Sequence, residues 1–256
     1  MARIAIDARI INTSTGRYAE RLIHYLEKID KVNNYLIIVP TKDRTYYQPT
    51  NPNFEIITVD IPNYSLAEQT SFLKFLDGLG ADLVHFAMPQ QPVGYRGRKV
   101  TTFHDLTLLK TYNSDKGWLK FHLKQLVGRY VFRRVALSND HIITPSEFTK
   151  QELQSFFPVP TDRISVIYEA GETTASDASA YKLPFQRYIM YVGSQSDYKN
   201  IPRLAEAHQQ LLATHPDLGL VLVGKKDVMA QRHDQLFSDR GYRNILFTGF
   251  VSDGEL

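Results

Sequence analysis

The sequence of 256 residues contains no cysteine, and none of its apolar runs is long enough to span a bilayer. The lack of cysteine excludes disulfides, thiolate metal sites and a cysteine nucleophile. The net charge of +3 is too small to predict nucleic-acid binding, although it suits a phosphorylated small molecule. Since the first strand begins without a charged and apolar leader, we expect a cytoplasmic protein.

Two nucleotide-binding motifs are also missing. No predicted strand-to-helix loop carries Gly-x-Gly-x-x-Gly, which argues against a simple dehydrogenase. The segment Gly224-Lys225-Lys226 ends a predicted strand, but it lacks the glycine spacing and the hydroxyl residue of a P-loop. Gly224 is therefore a candidate contact to a nucleotide by its position alone.

The sequence does contain a regular alternation of short apolar runs with amphipathic segments, which predicts an α/β fold with mostly parallel, doubly wound sheets. Residues 171–187 lack a periodic apolar face and form the predicted linker between a first domain at 1–170 and a second at 188–256. Strands are expected at 3–7, 35–39, 54–59, 83–86, 100–103, 141–143, 164–167, 188–192, 218–223 and 245–248. Helices are expected after Gly16, at 66–79, within 110–134, near 151–156, at 201–212 and at 228–237.

Capping patterns predict two helix starts. In Thr144-Pro145-Ser146-Glu147, Thr144 is the expected cap, Pro145 suits the first helical position and Glu147 can reach back to the cap. Ser252-Asp253-Gly254-Glu255 has the same spacing, so a helix is expected to begin there.

The stretch 188–200 is a predicted strand, a loop of small residues and the start of a helix. Backbone N–H groups around Gly193 and Ser194, together with the helix dipole before Asn200, favour an anion, and Lys199 adds a positive charge. A phosphate group is the predicted occupant, and an ordinary connection with a solvated lysine is the alternative. Gly16 allows a similar close approach at the first helix.

His104 and Asp105 follow the predicted strand 100–103, at the sheet edge where open α/β sheets bind ligands. A histidine there can bind a sugar hydroxyl or transfer a proton, and Asp105 can orient it or cap the next segment. The alternative is a structural histidine beside a capped loop. His85 is a similar but weaker case.

Residues 110–134 are basic and aromatic, with Lys116, Lys120 and Lys124 on one predicted helical face. Such a helix suits peripheral contact with an anionic membrane or a polyanionic acceptor. A solvated face on a core helix is the alternative.

Taken in order, the motifs resemble family 4 of the retaining glycosyltransferases, which has the two-domain GT-B fold. In the first domain they are Ile6-Asp7-Ala8-Arg9 with Thr15-Gly16-Arg17-Tyr18, then Thr102 to Leu106, Thr144 to Thr149 and Ile164 to Tyr168. In the second domain they are Tyr191-Val192-Gly193 with Lys199-Asn200, then Leu220 to Gly224 and Thr248 to Ser252.

The resemblance implies two Rossmann-like domains, of which the first binds the acceptor and the second holds a nucleotide-sugar donor, with reaction in the cleft between them. It implies that Lys199 holds the donor diphosphate and stabilises its developing charge without a metal ion or a further cofactor. His104 would face the transferred sugar, with Asp105 beside it. The implied donor contacts are Gly16, Gly193, Ser194, Asn200 and Gly224, with Gly249, Phe250 and Val251 near the nucleotide base.

The sequence departs from the family pattern in two ways. Ser194, Gln195 and Tyr198 stand where many members have an arginine, which predicts a weaker phosphate grip. The family's two donor-binding glutamates would fall beyond Leu256, so the second domain is expected to be incomplete and the chain impaired or inactive.

The opening motifs look most like bacterial enzymes that add mannose or related sugars to surface polysaccharides. They favour GDP-mannose as donor and a glycan or lipid-linked acceptor. A non-catalytic sugar- or nucleotide-binding module is the alternative function. A two-lobed solute receptor is disfavoured, because no secretory leader is seen.

Overall fold

The computed structural model describes residues 1–13, 15–110, 118–171, 179–252 and 254–255, with the backbone alone at 118–121 and 123–124. The chain forms two compact units. The first is built from residues 1–110 and 122–169, and the second contains residues 118–121 and the described residues from Ala170 onward.

The first unit contains a parallel seven-stranded sheet in the order β3-β2-β1-β4-β5-β6-β7. The chain moves outward from β1 to β3 and begins again at β4 beside β1, which creates a topological switch point between β1 and β4. The strands are Arg3–Asp7 (β1), Asn34–Val39 (β2), Phe54–Thr58 (β3), Leu83–Phe86 (β4), Lys99–Thr102 (β5), His141–Thr144 (β6) and Ile164–Val166 (β7).

Helices cover both faces of this sheet. Neighbouring residues of a strand point to opposite faces, and Ala5 and Ile6 of β1 accordingly belong to two different buried clusters. Ile6 packs in the cluster that contains Ile23, and Ala5 in the one that contains Phe72. The helices are Arg17–Ile29 (α1), Leu73–Gly78 (α2), Thr107–Lys110 (α3), Trp118–Ser138 (α4) and Glu147–Phe156 (α5), and a π-helical turn at Glu68–Phe72 leads into α2.

The second unit contains three parallel strands in the order β10-β9-β8. Its elements are Tyr188–Val192 (β8), Ile201–Leu211 (α6), Gly219–Val223 (β9), Val228–Asp239 (α7) and Ile245–Gly249 (β10). Ile201, Leu220 and Phe237 centre the buried cluster that joins α6 and α7 to one face of the sheet.

The sequence predicted the strands and the longer helices, but it did not predict the short helix α3, and one helix cap differs. Thr144 is buried as the last residue of β6, and the cap of α5 is Ser146, whose hydroxyl accepts a hydrogen bond of 3.1 Å from the amide of Thr149. The strand extends one residue further than expected, so the helix starts after Pro145. In the other capping pattern, the Glu255 carboxylate accepts hydrogen bonds from the backbone N–H and the hydroxyl of Ser252, at 2.9 and 2.8 Å.

Two predicted features fall partly outside the described residues. Residues 172–178 of the linker stretch are not described, and neither are Lys116 or the side chains of Lys120 and Lys124. None of the described helices combines the length and the apolar composition that crossing a membrane requires.

Candidate functional site

The first candidate site lies at the carboxyl ends of β4, β5 and β7. His104 follows β5, and its Nε2 lies 3.0 Å from the carbonyl oxygen of Ala87, which follows β4. Its Nδ1 lies 3.5 Å from the carboxylate of Glu169, which lies beyond β7. Both partners are acceptors, so the ring donates to both only when each nitrogen carries a proton. A quarter of the His104 side chain (25%) is exposed, which leaves part of the ring open to a ligand.

Tyr18 contacts the His104 ring, and Thr102 in turn holds Tyr18 by a hydrogen bond. Tyr18, in the first turn of α1, meets the ring edge-on with the centroids 4.6 Å apart, and burial raises the pKa of its phenol. The Tyr18 hydroxyl lies 2.9 Å from Oγ1 of Thr102, which also bonds to Nε2 of His85 at 2.9 Å. Burial lowers the pKa of His85 to about 4, so this second histidine is neutral at pH 7. His104 is therefore held by a neutral hydrogen-bonded chain on one side and by Glu169 on the other.

Asp105 and Gly16 have local structural roles in this unit. The Asp105 carboxylate accepts a hydrogen bond of 2.8 Å from the amide of Thr107, so it caps α3. A Cβ atom on Gly16 would lie 1.9 Å from the carbonyl oxygen of Ile10, which explains the glycine by the packing of its own loop. The Gly16 amide donates to Thr13. A ligand contact by Asp105 or Gly16 stays a prediction.

Three glycines lie side by side at the carboxyl edge of the second sheet, and we call them the glycine row. Gly193, Gly224 and Gly249 have φ values of +140°, +152° and +80°, which disfavour any other residue. The amide of Gly224 donates to the carbonyl of Gly249 at 3.1 Å, and a Cβ atom on Gly224 would lie 2.3 Å from the carbonyl oxygen of Gly193. Gly224 is therefore required by packing within the row, and none of the three positions carries a side chain beside the loop of Ser194.

The amides of the loop after β8 are only partly available. The Gly193 amide donates to the carbonyl of Val223 at 2.9 Å, so the expectation that it faces an anion is wrong. The sheet pairing of β8 with β9 continues one residue further than the apolar run indicates. Among the described residues, none accepts a hydrogen bond from the Ser194 amide, and the Ser194 carbonyl is fixed by the Tyr191 hydroxyl at 2.6 Å. Ser194 is thus the candidate backbone donor.

Lys199 lies in a 3₁₀ turn, Asp197–Lys199, just before α6. Its side chain is exposed, and its ammonium group lies 4.8 Å from the centre of the Tyr198 ring. Asn200 follows with φ +54° and begins α6. A solvated cation therefore stands at the positive end of a helix, in the same loop as Ser194.

The last predicted residues lie after β10. Phe250 is 87% exposed, whereas Val251 lines a cavity of about 70 Å³ together with Met190 and Val221. This cavity lies on the sheet face and is too small for a nucleotide, since ligand pockets usually exceed about 300 Å³. Among the described residues, no three His, Asp or Glu side chains cluster as a metal ion would require. A metal-independent reaction stays a prediction.

Sequence reasoning missed Glu169 and Gln195. Glu169 follows a predicted strand, and the rule that parallel strands end at one edge could have pointed to it. Gln195 is 2% exposed and contacts His233 of α7, whereas the sequence marked it only as a position where many family members have an arginine and gave no sign of this contact.

Solved structures identify the fold class of this chain. One is WaaG, a glycosyltransferase involved in lipopolysaccharide biosynthesis, with a TM-score of 0.65 and 16% identity over 99% of this chain and 71% of that chain. Another is the α,α-trehalose 6-phosphate synthase of Burkholderia multivorans, with a TM-score of 0.63 and 13% identity over 99% of this chain and 74% of that chain. The fold is that of the GT-B glycosyltransferases.

The family follows from the sequence comparison. The family model described as Glycosyltransferase Family 4 matches residues 15–171, and the chain belongs to this family. The chain is also 30% identical, over 178 residues, to the O-antigen chain mannosyltransferase B of Escherichia coli. That match covers 62% of this chain and 43% of the relative, so the chain matches less than half of the relative's length.

Proposed function

We propose that this chain transfers a hexose, with mannose favoured, from a nucleoside-diphosphate sugar to a glycan or lipid-linked acceptor in surface polysaccharide synthesis. Family membership and the similarity to an O-antigen mannosyltransferase support the reaction class and the sugar. The single structural observation that carries the proposal is the glycine row beside the loop of Ser194 and Lys199.

In the proposed mechanism, the second unit binds the donor diphosphate and the first unit contacts the sugar. In the second unit, Lys199 and the Ser194 amide bind the donor diphosphate and stabilise the charge that grows on it as the sugar bond breaks. In the first unit, Nδ1 of His104 exchanges its 3.5 Å contact with Glu169 for a hydroxyl of the transferred sugar, while Tyr18 and the Ala87 carbonyl hold the ring in place. The reaction retains the configuration of the sugar, as the family resemblance implies.

The donor site is tested by calorimetric titration of GDP and UDP into the chain. We expect GDP to bind more tightly than UDP, and Lys199→Ala to weaken GDP about 10- to 150-fold, the loss of a hydrogen bond to a charged group. Lys42→Ala is the matched control, because Lys42 is also an exposed lysine in a 3₁₀ turn, Thr41–Asp43 of the first unit. Equal affinity in wild type and Lys199→Ala would refute the role of Lys199, and failure to bind either nucleotide would refute the proposed function.

Transfer of radiolabelled mannose from GDP-mannose to a mannoside separates the enzyme from the alternative, a non-catalytic binding module. Turnover that stops in His104→Ala supports the enzyme. Nucleotide binding without turnover supports the binding module.

The described part of α4 favours an additional membrane contact. Leu126, Val127 and Tyr130 are 66%, 56% and 58% exposed, and the exposed Arg129 and Arg133 lie on the same helix. Apolar groups flanked by arginines suit the surface of an anionic bilayer. We expect sedimentation with phosphatidylglycerol vesicles but not with phosphatidylcholine vesicles, and its loss in Leu126→Ser/Tyr130→Ser. Equal sedimentation with both lipids would contradict this contact.

A further inference from the structure

Three buried charged side chains form a cluster at the end of β1 that the proposed mechanism does not use. Arg9 donates two hydrogen bonds of 2.8 Å to the Asp7 carboxylate and one of 2.7 Å to Glu68. The Arg9 guanidinium also lies 3.7 Å from the centre of the Phe72 ring. The side chains of Arg9 and Glu68 are each 2% exposed, so this cluster is closed to ligands.

The cluster holds the segment 61–66, which connects β3 to the π-helical turn. Arg9 donates to the carbonyl of Ile61 at 3.1 Å, and Glu68 accepts from the amide of Tyr64 at 3.1 Å. Ser65 adds a hydrogen bond of 2.7 Å from its hydroxyl to the carbonyl of Pro62. The segment is therefore fixed at its start, its middle and its end.

Tyr64 has an unusual backbone conformation in this segment. Its φ is +60°, a conformation that bulky side chains rarely adopt and that persists only where the surroundings enforce it. The result is that the Tyr64 residue is 71% exposed and Leu66 is 86% exposed, although both are apolar. The buried charges thus hold Tyr64 and Leu66 at the surface on a hydrogen-bonded backbone.

This exposed pair lies on the ligand-binding edge of the first unit. Arg9 follows β1 and donates to Ile61, which follows β3, so the segment 61–66 lies at the carboxyl edge of the parallel sheet. Asp105 follows His104 at the end of β5, so Tyr64 stands at the same sheet edge as the His104 site.

We propose that Tyr64 and Leu66 form a binding surface for a pyranose ring of the glycan acceptor. The inference rests on the proposed function and deepens it. The C–H groups on one face of a pyranose pack against an aromatic ring, while the sugar hydroxyls stay in water or reach the Asp105 carboxylate. Because the segment is already fixed, little conformational freedom is lost when the sugar binds.

The test is the binding of methyl α-D-mannopyranoside and methyl α-D-glucopyranoside, measured by saturation-transfer NMR. Tyr64→Gly removes the ring and suits the left-handed backbone, so we expect it to keep or raise the Tm while it weakens the glycoside about fivefold. Tyr64→Phe keeps the ring and should bind as wild type does. Tyr25→Ala removes an exposed ring from α1 and should also leave binding unchanged.

Glycoside affinity that is unchanged in Tyr64→Gly would overturn the inference, and so would the absence of saturable glycoside binding to wild type. Titration of GDP into the same samples separates this result from the proposed function. A chain that binds GDP but neither glycoside refutes the acceptor surface alone, and a chain that binds none of the three refutes both proposals.

Discussion

Nδ1 of His233 lies 3.2 Å from the side-chain oxygen of Gln195, and both residues are buried. An amide oxygen can only accept, so the proton of this hydrogen bond belongs to Nδ1. The contact anchors the loop that carries Lys199 to helix α7. The shape of the proposed donor loop therefore depends on a residue far from it in the sequence.

His233→Phe tests this anchor. Phenylalanine keeps the stacking on Phe237, but it leaves the Gln195 amide buried without its partner, so we expect a loss of about 1–3 kcal/mol in the free energy of unfolding. We also expect weaker GDP binding in calorimetry at a temperature where the variant is folded. Gln209→Ala is the control, because the Gln209 side chain of α6 bonds to the backbone of Arg243 and not to the loop of Lys199. Unchanged GDP affinity in His233→Phe would show that the loop keeps its shape without the contact.

The buried His85 predicts how stability depends on pH. Its folded-state pKa is about 4, below the usual value of about 6.5, so the unfolded chain binds the proton first as the pH falls. Stability from this residue is therefore fully present above pH 6.5 and declines between about pH 6.5 and 4, by about 3 kcal/mol in total. His85→Asn should flatten this part of the curve in urea unfolding, whereas the partly exposed His215→Asn should not. Parallel curves for wild type and His85→Asn would contradict the assignment.

Removing Arg9 should destabilise the first unit strongly. Arg9→Met leaves the carboxylates of Asp7 and Glu68 buried without a cation, and we expect a loss of about 3–5 kcal/mol in urea unfolding at pH 7. Arg3→Met is the control, because Arg3 is an exposed arginine at the start of β1, the strand that precedes Arg9. The triple variant Asp7→Asn/Arg9→Met/Glu68→Gln removes the charge imbalance and should recover part of the loss. A cost for Arg9→Met no larger than that for Arg3→Met would refute this account.

The glycine row should not tolerate a methyl group. Gly224→Ala places Cβ 2.3 Å from the Gly193 carbonyl at φ +152°, so we expect a loss of about 2 kcal/mol or more in unfolding free energy. Gly78→Ala, at the end of α2, meets no atom within 4 Å and should stabilise the chain by up to about 1 kcal/mol. Equal stability of the two variants would contradict this prediction, because it would mean that the backbone of the glycine row can move to make room for a methyl group.

The sequence predicted the strands because each is a short apolar run with polar or glycine ends. β1, β4 and β8 begin and end where the pattern indicates. The α5 cap was harder to predict, because two hydroxyl residues precede the helix and only tertiary pairing decides that Thr144 belongs to β6. Local sequence patterns determine whether a segment forms a helix or a strand. Pairing with neighbouring elements determines the residue at which it ends.

The candidate sites were predictable only where strand ends marked them. His104 and Gly193 follow predicted strands, which places them at a sheet edge without knowledge of strand order. Glu169 reaches His104 because β5, β6 and β7 are neighbours, and the sequence does not state that order. A close approach at Gly16 was predictable, but not that the approaching group is the carbonyl of Ile10.

The π-helical turn at Glu68–Phe72 uses one more residue than an ordinary helical turn between hydrogen-bonded ends. Glu68, at the start of the turn, pairs with Arg9, and Leu76, in the helix that follows, packs in the core. Deleting a single residue between them would rotate one end about 100° against the other. We therefore expect this stretch to tolerate substitutions better than insertions or deletions.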